Sequence, residues 1–511
     1  MRNNFLNGLA KATNYTLTEN GGVTHKTTGS ALYDMFGMGA AMRKRSDADY
    51  ILMFRNAFDE DPVYALKCLF YIRDVRGGQG ERRFFRVCMR DLATYNTAAA
   101  RRNLKHIPMF GRWDDLYLFV GTPLEKDAFN LIKEQLALDV ESKTPSLLAK
   151  WLKSENTSSL ASRKLGAKTR VFLGMNHRQY RKTLSILRTR INILEKLMSA
   201  GQWDKIEFDK IPSRAGMIYK NAFARHDVER MINKAIEIQS YADFAKDTTK
   251  KVNAKVLYPY ECVAEALKCF RTGSYYSAKM PALDDTNRLM VNKYWDNLAD
   301  YFKGANFNGI VVADTSGSMV SSEAAAPINV AISLGLYCAE KSKGPFAGHY
   351  ISFASRPQLI RTEGVDFVDK VYRIYRTNLV DNTNIEATFD LLLNTAIQNR
   401  CSQDEIPQNV LIISDMQMDS ARGVYNYRNH SRDIETLMDL IRNKWIASGY
   451  QMPKLIYWNV DARQNTILDS GPNVSYVSGM SPVIFEQIMN GKTGKELMYD
   501  KLNSERYACI K

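Results

Sequence analysis

Gly309-Ile-Val-Val-Ala-Asp-Thr-Ser-Gly-Ser-Met319 is the stretch from which the fold follows. Four apolar residues bounded by Gly309 and Asp314 suit a strand buried on both faces, too short to make a core helix. Pro327–Lys341 then carries apolar residues at helical spacing with proline at its start. His349–Phe353 and Gln358–Arg361 read as further strands, Asn384–Gln398 as a helix, and Asn409–Ser414 as a second buried strand. Ile434–Ala447 (helix), Lys454–Val460 and Val474–Val477 (strands) and Pro482–Met489 (helix) complete the series. Strands alternating with helices predict a mostly parallel, doubly wound sheet with helices on both faces.

Upstream the pattern is different. From Asp61 to Gly304 the periodicity is helical almost throughout, beginning with Asp61 as cap and Pro62 at the first helical position. Gly77-Gly-Gln-Gly80 breaks the first pair of helices and reads as a turn, since no Lys-Ser/Thr follows to make a phosphate loop. Helical stretches succeed one another near Glu125–Glu141, Ser146–Lys153, Asn176–Ala200, Ser213–Arg225, Glu229–Phe244, Pro259–Phe270 and Asp285–Lys303. Helix pairs in series predict a HEAT-like solenoid or a bundle. Residues 1–48 read as an irregular arm. The expected architecture is therefore multidomain: an all-α helical repeat module over 1–304 and an α/β doubly wound, Rossmann-like domain over 305–511.

The 511 residues, 45% hydrophobic and 24% charged, exclude a wholly disordered chain. The net charge of +15 is unevenly spread: residues 1–300 hold 49 Lys/Arg against 33 Asp/Glu, and residues 301–511 hold 21 against 22. The asymmetry suggests two parts, the first facing a polyanion and the second not. Seven cysteines without a Cys-x-x-Cys pair or zinc spacing point to a reducing compartment. No run reaches the roughly 18–20 apolar residues of a membrane span, and the amino terminus lacks a signal-peptide core. The expectation is a cytoplasmic protein without a membrane partner.

Asp314, Ser316 and Ser318 lie on the loop after the first buried strand, where open α/β sheets bind ligands. Thr383 lies on a second loop, and Asp415 directly follows the strand 409–414. Two carboxylates and three hydroxyls are hard oxygen donors, suited to Mg²⁺ or another divalent cation. An aspartic-protease loop also begins apolar-apolar-Asp-Thr, but Ile413-Ser-Asp-Met416 is no second copy of it. An aspartyl phosphatase would want a second Asp where Ser316 stands, and the plainest alternative is that Asp314 only caps the next helix. The five positions resemble the metal-ion-dependent adhesion site of the von Willebrand factor A domain. That resemblance implies a cation whose open position takes an acidic group from a protein partner, an adhesive rather than a catalytic role.

Residues 151–200 hold 11 Lys/Arg against 2 Asp/Glu. Arg163, Lys164, Lys168, Arg170, Arg178, Arg181 and Lys182 fall in a stretch without any acid. Tyr180, Leu184, Leu187, Ile191, Leu194 and Met198 form an apolar stripe, so the helix buries one side and points cations outward. Crowded cations suit a phosphate backbone, the alternative being a solvated face. Neither a nucleophilic triad nor a second set of carboxylates stands out, and two-metal hydrolysis wants more acids than Asp314 and Asp415. A non-enzymatic protein is expected.

A basic helical module followed by an A domain resembles the Ro autoantigen, or TROVE-domain, family, of which this chain would be a divergent relative. Arg73-Asp-Val-Arg-Gly-Gly-Gln-Gly-Glu-Arg82 is similar to the family's early helix–turn–helix, and Ser162-Arg-Lys-Leu through Met175-Asn-His-Arg to its basic segment and following helix. The resemblance implies a ring of helical repeats that binds small noncoding RNAs and single-stranded ends of misfolded RNAs. Arg163, Lys164 and His177 occupy the family's RNA-contacting positions. The alternative is a Mg²⁺-dependent protein-interaction scaffold acting through the A domain.

Overall fold

The computed structural model describes every residue except 1–12, 22, 233–238, 271–278, 306, 322, 324, 354–355, 378–383, 419–436, 470, 472 and 490. The chain forms two compact units, each discontinuous in sequence: residues 1–68 with 257–504, and residues 69–256 with 505–511.

The first unit holds the sheet. A hairpin of β1 (Tyr15–Leu17) and β2 (Val23–His25) precedes β3 (Gly309–Asp314), β4 (His349–Phe353), β5 (Gln358–Arg361), β6 (Asn409–Ser414), β7 (Lys454–Asn459) and β8 (Val474–Ser478). The last six form one sheet in the order β5-β4-β3-β6-β7-β8, parallel throughout except for the antiparallel pair β4–β5. The chain runs outward from β3 in one direction and from β6 in the other, so the strand order reverses between these two. Every residue of β3 is buried, as its uninterrupted apolar run predicts. Helix Pro327–Lys341 covers one face, with Tyr337 stacked on Phe485, against which Trp458 of β7 also packs. A further helix, Phe367–Thr377, which the periodicity did not single out, stacks Phe367 on Trp295 at a ring separation of 4.0 Å.

Residues 14–48 are not an irregular arm leading into the helical module. Helix Ala31–Met38, capped by Ser30, buries all but its first residue and lies on β8. Tyr33 accepts a hydrogen bond from the Tyr476 amide, Ser478 donates to the Phe36 carbonyl, and a side chain at Gly37 would meet Tyr476 Cβ at 2.8 Å. Helices Pro259–Phe270 and Thr286–Asp296 also pack in this unit, through Phe270 on Tyr372 and Arg288 on Asp366. A single cut at 304 therefore does not divide the chain as it packs.

Helix Pro62–Arg73, capped by Asp61 through the amides of Val63 and Tyr64, carries the chain from the first unit into the second, which is helical. The glycine-rich segment turns the chain into helix Arg83–Tyr95, and Glu125–Glu141, Leu160–Phe172, His177–Arg190 and Ser213–Arg225 follow. Where one helix was expected over 176–200 there are two, His177–Arg190 and Leu194–Ser199, separated at Asn192 with φ +49°. Ile191 and Ile193 flank that break, and β-branched residues favour helix less than straight chains do. The expected helix over 146–153 is a single turn, Leu148–Trp151. All the basic excess belongs to this unit, which has 38 Lys/Arg against 21 Asp/Glu, whereas the sheet unit has 32 against 34.

Candidate functional site

Two sites emerge, one in each unit. At the carboxyl end of β3, Asp314 is completely buried; its Oδ1 accepts from the Ser316 amide at 2.9 Å and its Oδ2 from the Ser414 hydroxyl. Ser316 and Ser318 place their hydroxyls 3.1 Å apart. Asp415, immediately after β6, is equally buried; its Oδ1 accepts from the Gln417 amide at 3.1 Å, while its Oδ2 has no hydrogen-bond partner among the described residues. Burial raises the Asp314 carboxyl, and Asp415 raises it further; Asp415 is likewise raised, chiefly by burial, with Ser318 and the Gln417 amide opposing. Two carboxylates are buried together here and one oxygen lacks a hydrogen bond, an arrangement that favours a cation at this point. The expected loop thus brings Asp314, Ser316, Ser318 and Asp415 to the point where strand order reverses, while Thr383 lies outside the described residues. Among the described residues no three His, Cys, Asp or Glu side chains converge, so any metal here would rest on two carboxylates and hydroxyls.

Sequence reasoning missed three neighbours. Arg463, on the loop after β7, brings its guanidinium within 3.6 Å of Asp415 Oδ2, pairs with Asp461 at 3.2 Å and Glu19 at 3.3 Å, and donates to the Ser318 carbonyl. Gln417 is fully buried, and the β1–β2 turn fastens on it: the Glu19 amide donates to its Oε1 and Asn20 to its carbonyl, while Thr18 donates to the Met418 carbonyl at 2.6 Å. Met416, between Asp415 and Gln417, takes φ +64°, an uncommon conformation for a residue with a side chain, of the kind that gathers at sites. Arg463 follows β7, which is not one of the two strands between which the order reverses, so the rule that led to the loops after β3 and β6 does not single it out.

The second site is the basic face of the helical unit. Ser159 caps helix Leu160–Phe172, and Asn176 with Gln179 makes a reciprocal cap for His177–Arg190. Tyr180, Leu184 and Leu187 are buried as the stripe predicts, worth about 1.5–3 kcal/mol each. Gly166 lets the first helix rest on the segment before it, since a Cβ there would stand 2.8 Å from the Lys153 carbonyl oxygen. Arg163, Lys164, Arg178 and Lys182 are exposed and pair with no carboxylate among the described residues. The other candidates are engaged: Lys168 with Glu125 at 2.7 Å, Arg170 with Glu155 at 2.8 Å, and exposed His177 with Glu155 at 3.0 Å. Arg181 reaches the His177 carbonyl at 3.4 Å.

Residues 18–159 and 145–305 match the family described as a domain of unknown function (DUF2828), and residues 308–507 match a second domain of unknown function (DUF7788). These matches meet where the helical and α/β patterns meet in sequence, although the packed units interleave across that point. The chain is 30% identical over 516 residues to the uncharacterized protein L728 of Acanthamoeba polyphaga mimivirus, covering 94% of this chain and 85% of that protein. Its fold is similar to the crystal structure of the RO (RSR) protein of Deinococcus radiodurans, with a TM-score of 0.50 and 13% identity over 91% of this chain and all of that one. The likeness to the Ro group is thus one of fold, at a distant level of sequence. No helix among the described residues is long and apolar enough to cross a membrane.

Proposed function

The chain belongs to the DUF2828 family, and from that premise we propose that it is a non-enzymatic RNA-binding protein, taking small noncoding or single-stranded RNA on its helical unit. The observation that carries this reading is the four exposed cations Arg163, Lys164, Arg178 and Lys182 without carboxylate partners, on a unit that holds the whole basic excess. Cations so placed repel one another until phosphates neutralise them. The fold likeness to a Ro protein supports the same class of ligand through the resemblance that the sequence carries. Lys168, Arg170, His177 and Arg181 border the four and would act once their present partners give way. The test is fluorescence anisotropy with labelled RNA: Arg163→Glu with Lys164→Glu should weaken binding about tenfold or more, and Asp314→Ala should not.

The sheet unit favours a second role, resting on the orphaned Asp415 oxygen. In this reading it is an adhesion domain of the von Willebrand A type, cytoplasmic like the rest of the chain. Asp314, Ser316, Ser318 and Asp415, with Thr383, would hold Mg²⁺, which would neutralise the carboxylates and offer an open position to an acidic group of a protein partner. Should the protein capture such a partner only with Mg²⁺ and bind RNA without saturation, the scaffold role would be the principal one.

A further inference from the structure

A second cationic cluster lies in the helical unit, away from the residues that the charge run singles out. Asp114 and Asp115 open the helical turn Trp113–Phe119 and are fully buried. Gly111 allows this turn to close, because a Cβ there would run into Asp115 Oδ2 and the Arg73 guanidinium. Five cations surround the two carboxylates. Arg73, itself buried, pairs with Asp115 at 2.6 Å; Arg82 reaches Asp114 at 2.7 Å and Arg86 reaches Asp115 at 2.6 Å. Arg112 reaches Asp114 at 2.6 Å and Lys153 reaches it at 3.4 Å. Two negative charges therefore hold five positive ones.

Arg73 is consumed within the unit; the other four are not. Arg82, Arg86, Arg112 and Lys153 keep 37%, 31%, 29% and 29% of their side chains exposed. Arg82, Arg86 and Arg112 bind the aspartates and the Asp114 carbonyl through Nε and Nη2, leaving each Nη1 without a protein acceptor among the described residues. Arg112 Cζ stands 3.7 Å from the centroid of the Trp151 ring, a cation–π contact that helps hold the guanidinium in place. The crowding is felt: burial lowers the basicity of Arg82, and Arg86 and Arg112 lower it further against the two aspartates. Buried carboxylates thus serve as anchors that hold guanidinium forks in fixed positions, with donors left over.

We propose that Arg82, Arg86, Arg112 and Lys153 form a binding site for a backbone phosphate of single-stranded RNA, with Trp151 as the positioning residue for Arg112. The site rests on the RNA-binding reading and extends it. Lys153 borders both faces: its carbonyl accepts from Tyr180 at 2.8 Å and meets Gly166, while its ammonium joins the cluster. A strand held by Arg163 and Lys164 would therefore have a second, more rigid anchor within the same unit. Planar guanidinium groups with free Nη1 donors suit a phosphate better than a carboxylate already satisfied by protein.

The experiment measures anisotropy of a labelled 12-nucleotide oligouridine RNA against salt for the full chain, for Arg82→Gln/Lys153→Gln, for Trp151→Ala, and for Arg163→Glu/Lys164→Glu, with circular dichroism confirming the folded state of each. The proposal expects about a tenfold loss of affinity and a shallower salt slope, by roughly 0.7 per phosphate contact removed, in Arg82→Gln/Lys153→Gln. It expects a smaller loss in Trp151→Ala. Wild-type affinity and slope in both folded variants, with binding lost only in Arg163→Glu/Lys164→Glu, would overturn the second anchor and leave the function standing. No saturable RNA binding by the wild-type chain would overturn the function itself. Displacement of the RNA by inorganic phosphate well below the millimolar range would overturn the assignment to a nucleic-acid backbone in favour of a small-anion site.

Discussion

Arg463 stands 3.6 Å from Asp415 Oδ2 and is the guanidinium nearest an otherwise unpartnered buried oxygen. It comes from the loop after β7, is three-quarters buried, and also holds Asp461 and Glu19. A cation placed so stabilises the carboxylate and competes with any metal for it, because like charges cannot share the site without cost. Arg463→Gln should therefore raise Mg²⁺ affinity about tenfold, a change of about 1.4 kcal/mol. Isothermal titration calorimetry checks this, and equal or weaker affinity in the variant would show that Arg463 supports the site rather than rivals the metal.

The Asp114–Asp115 pair makes a prediction about acid. Burial acts to raise both carboxyls, but Arg112, Arg82 and Arg86 hold Asp114 well below the usual carboxylate range, and Arg73 and Arg86 hold Asp115 down. A group whose folded pKa lies below its unfolded value, about 3.9 for Asp, contributes stability above that value and loses it as pH falls. The helical unit should therefore lose stability steeply below about pH 4. Asp115→Asn should cost about 3–5 kcal/mol at neutral pH, since it leaves Arg73 buried without its partner. Urea denaturation of wild type and variant across pH 3–7 reads both effects, and the variant's dependence on acid should be flatter.

Gly166→Ala tests the close approach of helix Leu160–Phe172 to the chain at 153–154. Alanine gains about 1 kcal/mol of helix propensity over glycine. Here its Cβ would meet the Lys153 carbonyl oxygen at 2.8 Å and the Ser154 carbonyl carbon at 3.0 Å, both backbone atoms with little freedom to move. Overpacking of this kind costs about 1–3 kcal/mol. Calorimetry should show a lower Tm, and a higher one would mean that the helix stands off the segment.

The sheet was legible from its apolar runs, because β3 and β6 are buried on both faces and leave nothing polar to blur them. Asp314, Ser316, Ser318 and Asp415 were legible for the same reason: they follow those strands directly. Arg463 was not, because its role depends on β7 lying beside β6, a long-range fact of the fold. The seating of helix Ala31–Met38 on β8, and of the β1–β2 hairpin against Gln417 and Ile467, was hidden likewise, since a short helix and two three-residue strands carry weak periodicity of their own. The basic face was legible as charge density, but not which cations are engaged. Lys168 and Arg170 find Glu125 and Glu155, acids that lie outside the run. The cluster around Asp114 and Asp115 escaped because its members are scattered from residue 73 to residue 153 and form no continuous run of charge.

The most direct test of the central claim is the affinity of the intact chain for labelled single-stranded RNA across roughly 50 to 200 mM salt. With at least four phosphates neutralised at about 0.7 each, the logarithm of affinity should fall against the logarithm of salt with a slope near −3. Arg163→Glu/Lys164→Glu should make that slope shallower by more than one. An affinity that stays flat over this range, in a chain whose whole basic excess lies on its helical unit, would contradict RNA binding as its function.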